Sequence, residues 1–319
     1  MNSQLVNSIH AAKVHKEVMK DLHEKKIVAP GKSVNEIVDF IESTVKEKIK
    51  YDPQDPLKGG CAFPANVSIN NQVAHYTSSS KNNDIILQEK DIVKVDFGVH
   101  KKGGIIDSAC TFSFHSKYDE FIKTAKKATR YAISQSGPDV NLGDLGQKIE
   151  EYVTSKEVTI GKETFPLFTL KELSGHNIGP YRIHHNKAVP NCKIDYDQRM
   201  VEGEFYAIEP FIATGSSHSY YDDPSNLLMI NPQYKDSSFL NNPLLSVLYN
   251  KYNYLCFCDR WLENDFSMDR AEINPLLHKN MLQEFKTIYV PKEHHVAQFE
   301  HNIYIKNNGI IIITENEYY

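Results

Sequence analysis

No apolar run in this 319-residue chain approaches the length of about 20 needed to cross a bilayer. Its opening, MNSQLVNSIH, is too polar to hold a secretory core segment. These absences exclude a helical membrane protein and an ordinary export signal, and make the cytosol the default compartment. Cysteine is scarce: five residues, an odd number, at 61, 110, 192, 256 and 258. Only Cys256 and Cys258 are close in sequence, at a spacing that fits neither a zinc knuckle nor a redox motif, so all five read as reduced core fillers. Charge of one sign is not in excess either. A net charge of -5 leaves no electrostatic footprint for nucleic acid or an anionic membrane surface. What remains is ordinary globular composition, 40% hydrophobic and 24% charged, with length for one large or two modest domains.

Within that ordinary composition, residues 91–114, DIVKVDFGVHKKGGIIDSACTFSF, stand out. Val93, Val95 and Phe97, then Ile105, Ile106, Ala109, Phe112 and Phe114, follow strand patterning, and Lys-Lys-Gly-Gly between them reads as a hairpin turn. Each apolar arm nevertheless carries an Asp. A turn centred near Lys101 and Lys102 would set Asp96 opposite Asp107, with Cβ atoms roughly 5 Å apart. Two such carboxylates repel unless they face solvent or share a cation. The triplet Asp96-Phe97-Gly98 also matches the magnesium-binding element of protein kinases, but the chain has no His-Arg-Asp loop and no glycine-rich hairpin upstream.

The surrounding pattern is used twice. Residues 3–28 and the stretch PGKSVNEIVDFIESTVKEKI have helical periodicity, the second with Ser33 as N-cap and Glu36 three residues on. After the hairpin, YDEFIKTAKKATRYAISQ and NLGDLGQKIEEYVTSK are again helical and lead to the strand EGEFYAIEPFIATG. Superposing DIVKVDFG on EFYAIEPF places Asp96 at the position of Glu209, so a pseudo-twofold fold would bring both carboxylates to one centre. LSGHNIGPYRIHHNKAVP supplies His176 and His184 around turn residues. HVAQFEHNIYIKNNGIIIITEN reads as strand, Asn-Asn-Gly turn and strand, with Glu300 in the first arm. Asp96, Asp107, Glu209 and Glu300 with at least one His form a hard-oxygen donor set suited to manganese, iron, cobalt or zinc. Four carboxylates overbalance one divalent ion, so the charge count favours two.

The motifs VAHY (73–76), VDFG (95–98), IIDSA (105–109), GHNIGPYRIH (175–184), YAIEPF (206–211) and AQFEH (297–301), together with GCAFPANVSINNQVAHY (60–76), closely resemble type 2 methionine aminopeptidases. The resemblance spans nearly the whole chain and is weakest from about 217 to 288. It implies the α+β pita-bread fold, a pseudo-twofold curved antiparallel sheet flanked by helices, as a single catalytic domain over 1–319. It also implies metal ligands at Asp96, Asp107, His176, Glu209 and Glu300, with Asp107 and Glu300 bridging two divalent ions. Catalytic roles would fall to His75, Glu209 and His184, and substrate contacts to His75, His184 and Phe63. Glu209 and Glu300 lie 91 residues apart, more than neighbouring strands require, and the excess at about 220–288 reads as the helical insertion of type 2 enzymes.

The implied activity is cytosolic removal of the initiator methionine from nascent chains when the second residue is small. Fumagillin-type epoxides would be inhibitors, the ribosome a possible partner, and nucleic acid and membrane no specific ones. Three departures bear on this: Ser174 stands where the family usually has Asn, the 289–300 segment is short, and no charged extension precedes the helices, which implies weaker or different ribosome association. The rival readings are a proline-specific peptidase of the same fold and a metal-free pita-bread protein that binds ribosomes or RNA.

Overall fold

The computed structural model describes residues 2–79, 84–222, 226–234 and 241–318. The first half opens with α1 (Ser3–Glu24) and α2 (Val34–Ile49). As its sequence signature requires, α2 begins in a reciprocal capping box: Glu36 N–H donates to Ser33 Oγ and Ser33 N–H to Glu36 Oε2, both at 3.0 Å. Its buried stripe of Ile37, Val38, Ile41 and Val45 packs on a three-stranded sheet. The strands are β1 (Gly59–Ile69), then, after the short β2 (Gln72–Ala74), β3 (Ile92–Lys101) and β4 (Gly104–Ser113), in the order β1-β3-β4.

The second half repeats the plan. Helices α3 (Asp119–Ser134) and α4 (Leu142–Thr154) precede β5 (Glu157–Ile160), β6 (Glu163–Thr169), β7 (Ser174–Ile178), β8 (Ala188–Pro190), β9 (Phe205–Ile208) and β10 (Phe211–Thr214). Ala132, Leu145 and Ile149 of these helices share an apolar cluster with Val189, Tyr206, Ile208 and Ile303. The chain closes with β16 (Val296–Gln298), β17 (His301–Lys306) and β18 (Gly309–Ile312). The strand pairings of the described residues are antiparallel.

The single strand that the sequence suggests at 202–215 is split at Glu209-Pro210, and the C-terminal arm is split at Phe299-Glu300. Below the breaks β9 and β17 pair in the sheet β18-β17-β9-β7-β8; above them β10 and β16 pair in the sheet β16-β10-β6-β5. Both glutamates therefore sit where the chain passes from one ladder to the next.

Between β10 and β16 lie β11 (Tyr220–Tyr221), β12 (Leu227–Ile230), α5 (Pro243–Tyr252), β13 (Phe257–Cys258), α6 (Asp259–Phe266), α7 (Arg270–His278), β14 (Leu282–Phe285) and β15 (Ile288–Tyr289). Parts of this stretch, 223–225 and 235–240, lie outside the described residues. It has an apolar cluster of its own, including Leu245, Phe257, Trp261, Leu262 and Ile273. The sequence suggests helices here; the structure adds the small sheet β13-β12-β14. Strands of two to four residues are too short to leave a visible period of two. Among the described residues, no helix is long and apolar enough to cross a membrane.

Gly98 has a packing reason to be glycine. A Cβ built there would meet Phe63 Cε1 at 2.3 Å and Ala62 Cβ at 2.9 Å, so the Phe63 ring lies directly on the bare backbone of β3. Gly98→Ala should destabilise the chain by about 2 kcal/mol in urea unfolding, as overpacked core positions do. Phe63→Ala also costs stability, but the double variant should be more stable than the sum of the two losses by at least about 1 kcal/mol. Additive losses would separate the two residues.

Candidate metal centre

The β3–β4 hairpin carries the first two carboxylates. Positive φ at both Lys102 (45°) and Gly103 (78°) makes a two-residue turn of the primed type, with Lys101 paired to Gly104. This centre lies one residue beyond the one expected from sequence. Asp96 therefore pairs with Ala109 and Asp107 with Gly98, so the two acids are diagonal neighbours and not directly opposed. An offset of two keeps them on the same face.

Glu300 is brought in from the other end of the chain by β4. Glu300 N–H donates to the Ala109 carbonyl at 3.0 Å, and Ser108 Oγ donates to the Glu300 carbonyl at 2.5 Å. Thr111 Oγ1 donates to the Gln298 carbonyl at 2.6 Å and accepts from its N–H at 2.8 Å. From α3, Thr129 Oγ1 donates to the Phe299 carbonyl at 2.9 Å. Asp107 is held likewise: its N–H donates to Asn302 Oδ1 at 2.7 Å. The result places ligand atoms of Asp96, Asp107 and Glu300 all within 4.8 Å of one another.

The second half adds His176 from β7 and Glu209 from the end of β9. His176 Nε2 lies 3.2 Å from Glu209 Oε1 and 3.5 Å from Asp107 Oδ2. Gln298, which the sequence reading did not single out, contacts two of the acids. Its Nε2 donates to Glu209 Oε2 at 3.5 Å and to Glu300 Oε2 at 3.4 Å. Its signal was the spacing: Gln298 and Glu300 stand two residues apart beside a strand, so they can share a side.

The electrostatics follow from the crowding. Burial, then the charges of Asp107 and Glu209, raise Asp96 well above the ordinary carboxylate range. Burial, then Asp107, Glu209 and Asp96, do the same to Glu300. Glu209 rises to about 7, chiefly through burial. For His176 burial acts downward, but its bonds to Asp107 and Glu209 outweigh it and raise the imidazole to about 10. Asp96 Oδ1, Glu300 Oε1 and His176 Nδ1 are buried without a hydrogen-bond partner among the described residues. Repelling carboxylates with unused lone pairs beside an imidazole fit divalent cations bound through oxygen and nitrogen.

The cluster opens on a cavity of about 1210 Å³ whose walls include Phe63, His75, His184, Cys256 and Phe285. The His184 ring stands edge-on to His176, with centroids 4.1 Å apart. His75 has φ of 68°, a left-handed conformation uncommon outside glycine. Its Nδ1 lies 3.1 Å from the Lys286 carbonyl, which can only accept, so Nδ1 carries the proton and Nε2 of the neutral ring keeps its lone pair. Burial holds His75 below the ordinary imidazole value. Sequence reasoning placed Phe63, His75 and His184 near the site, but Cys256, Phe285 and Lys286 come from the stretch between β10 and β16, whose approach only folding reveals.

Comparison with known proteins decides the family. The profile of Metallopeptidase family M24 matches residues 8–307. The chain belongs to metallopeptidase family M24. Membership brings with it the use of divalent metal and the pita-bread fold. This M24 chain is 36% identical over 323 residues to Methionine aminopeptidase 2 of Komagataella phaffii, covering 97% of this chain and 69% of that one. It is 33% identical over 322 residues to the protein of that name from Dictyostelium discoideum, covering 100% and 72%. Among solved structures, the methionine aminopeptidase of Thermotoga maritima superposes with a TM-score of 0.64 at 19% identity, covering 99% of this chain and 98% of that one. A thermophilic Arx1 superposes with a TM-score of 0.78 at 15% identity, covering 99% and 92%. The structural matches show the fold.

Metal removal should expose the repulsion. Chelation is expected to lower the melting temperature, by an amount that grows as pH rises. Glu209 raised to about 7 and His176 raised to about 10 both make the metal-free fold bind more protons than the unfolded chain between their ordinary and raised values. Stability of the stripped protein therefore falls as pH climbs from about 4.5 to about 10. Calorimetry with and without chelator at several pH values reads this, and pH-independent melting of the stripped protein would contradict it. Asp107→Asn should lose metal and more than about 100-fold in turnover while the fold survives.

Proposed function

We propose that this chain is a cytoplasmic methionine aminopeptidase of type 2, acting on the free N-terminal methionine of nascent chains when the second residue is small. The observation that carries the reading is the cluster of four carboxylates and one imidazole, all buried except the half-buried Asp96, opening on a cavity with an apolar wall, in a chain similar over nearly its whole length to Methionine aminopeptidase 2. It is a metal-dependent aminopeptidase with one catalytic domain, and the stretch at about 220–288 is its insertion. Asp96, Asp107, His176, Glu209 and Glu300 hold two divalent ions, manganese, iron, cobalt or zinc. When bound, such ions polarise the scissile carbonyl and lower the pKa of water.

The chain's own residues supply the rest. Glu209 is the proton shuttle: its carboxylate, aimed into the centre, takes a proton from the attacking water and returns it to the leaving amine. Asp96 accepts from the substrate's ammonium group. His75 Nε2 accepts from the scissile amide, a role its fixed tautomer suits. His184, stacked edge-on against His176, stands by the carbonyl. Phe63 is a wall of the methionine pocket, where an aromatic edge meets the thioether favourably. The ribosome would be the partner that delivers nascent chains.

Peptides beginning Met-Gly, Met-Ala, Met-Val and Met-Thr should be cut, and Met-Lys or Met-Phe at least about 100-fold less efficiently, because a confined site excludes bulk by sterics. Efficient cleavage of Ala-Pro peptides with none of Met-Ala would instead assign a proline-specific peptidase, and metal-loaded protein without turnover would assign a binding protein. A fumagillin-type epoxide should alkylate His75 at Nε2 and none of the other His among the 14 in the chain. Peptide mass spectrometry reads the adduct, which His75→Ala should abolish.

A further inference from the structure

Outside the metal centre, a dense buried ionic contact is made by Glu42 on α2, which is only 4% exposed. Its carboxylate accepts from Arg260 through both guanidinium ends, at 2.8 and 2.7 Å, and from Trp261 Nε1 at 2.8 Å. Oε1 also accepts from the Ala65 backbone N–H at 3.3 Å. One turn further along α2, the Lys46 ammonium lies 5.8 Å from the centroid of the Trp261 ring. One side chain thus joins three elements: α2, the irregular part of β1 and the start of α6.

Two of the elements it joins, β1 and the stretch that leads into α6, pack on one another and both contribute to the cavity lining. The β1 ladder shifts register between Phe63 and Asn66, so Ala65 lies in a stretch where regular strand pairing is lost and other bonds must fix the backbone. Phe63 and Asn66, on either side, both line the cavity. Cys256, four residues before Arg260, lines it as well, and β13 between them holds β12, whose Leu227 and Met229 also face the cavity. A bidentate ion pair and two further hydrogen bonds to one carboxylate therefore tie these two parts of the lining together, a geometry a neutral side chain cannot reproduce.

We propose that Glu42 is a positioning residue for first-residue selectivity: it clamps the β10–β16 insertion against the β1 wall and so fixes the width of the side-chain pocket. The selectivity part rests on the aminopeptidase reading; the clamp does not. Glu42→Gln keeps the shape and removes the charge, and Trp261→Phe removes one bond while keeping the apolar ring.

The test combines hydrogen exchange on the metal-loaded enzyme with kinetics on Met-Ala-Ser and Leu-Ala-Ser. In Glu42→Gln, exchange should rise in both 62–66 and 256–261, KM for Met-Ala-Ser should rise about tenfold with kcat within about twofold, and the Met-over-Leu preference should fall about fivefold. Metal content should be unchanged. Trp261→Phe should move the same quantities less, and it serves if Glu42→Gln does not fold. Exchange rising in only one of the two segments overturns the clamp. Exchange rising in both with the Met-over-Leu preference unmoved, or a fall in kcat at constant KM, overturns the selectivity role. If the wild-type enzyme cuts neither peptide, the aminopeptidase reading fails and the exchange data alone decide the clamp.

Discussion

Ligand atoms of Asp96, Asp107 and Glu300 lie within 4.8 Å of one another in a region where Glu300 is fully buried and Asp107 nearly so. Like charges at such a spacing repel by about 4 kcal/mol per pair at an effective dielectric constant of about 20. Folding alone does not create such a group without a counter-ion, and the surrounding architecture can be understood as the means of holding it. Each half provides a helix pair that covers the outer side of its strands, leaving the inner side for the acids. The C-terminal segment is bound to β4 through Ser108 and Thr111 and to α3 through Thr129, short hydroxyl side chains that fix backbone without adding charge.

The strand breaks at Glu209 and Glu300 belong to the same problem. A residue inside a regular ladder has its direction dictated by the pleat. At the passage between two ladders the backbone can turn a side chain inward at an angle that neither sheet imposes. Both glutamates occupy such passages, whereas the two aspartates, with shorter side chains, remain in regular strand. The longer acids thus stand where the backbone is freest to aim them.

Much of this was legible beforehand. Helical periodicity, the Ser33 and Glu36 capping box and the two hairpins stand in the sequence because each depends on residues a few positions apart. The carboxylates were visible as polar residues in apolar strands, and the match of Asp96 with Glu209 suggested their meeting. The register of the β3–β4 hairpin was not, since Lys-Lys-Gly-Gly admits two turn centres and only the positive φ at Lys102 and Gly103 selects one. Gln298 was overlooked because an amide beside acids carries no charge signal. Cys256, Phe285 and Lys286 were invisible as cavity walls because their place depends on how a stretch with its own core docks, a contact between residues some 200 positions apart.

The turn at Lys102-Gly103 lies four residues from Asp107, about 13 Å along an extended strand. It is nonetheless the ruler of the site. Most surface loops accept an added residue at little cost, because loop-closure entropy grows slowly with length. Here one extra residue that slid β4 by a single step would turn Asp107 to the opposite face and bring Ile106 or Ser108 inward in its place. The molecule's tolerance of length variation must therefore be uneven. Loops of the long connection between β10 and β16 that do not line the cavity can take up added residues, while this two-residue hairpin is held to its length by the acids it positions.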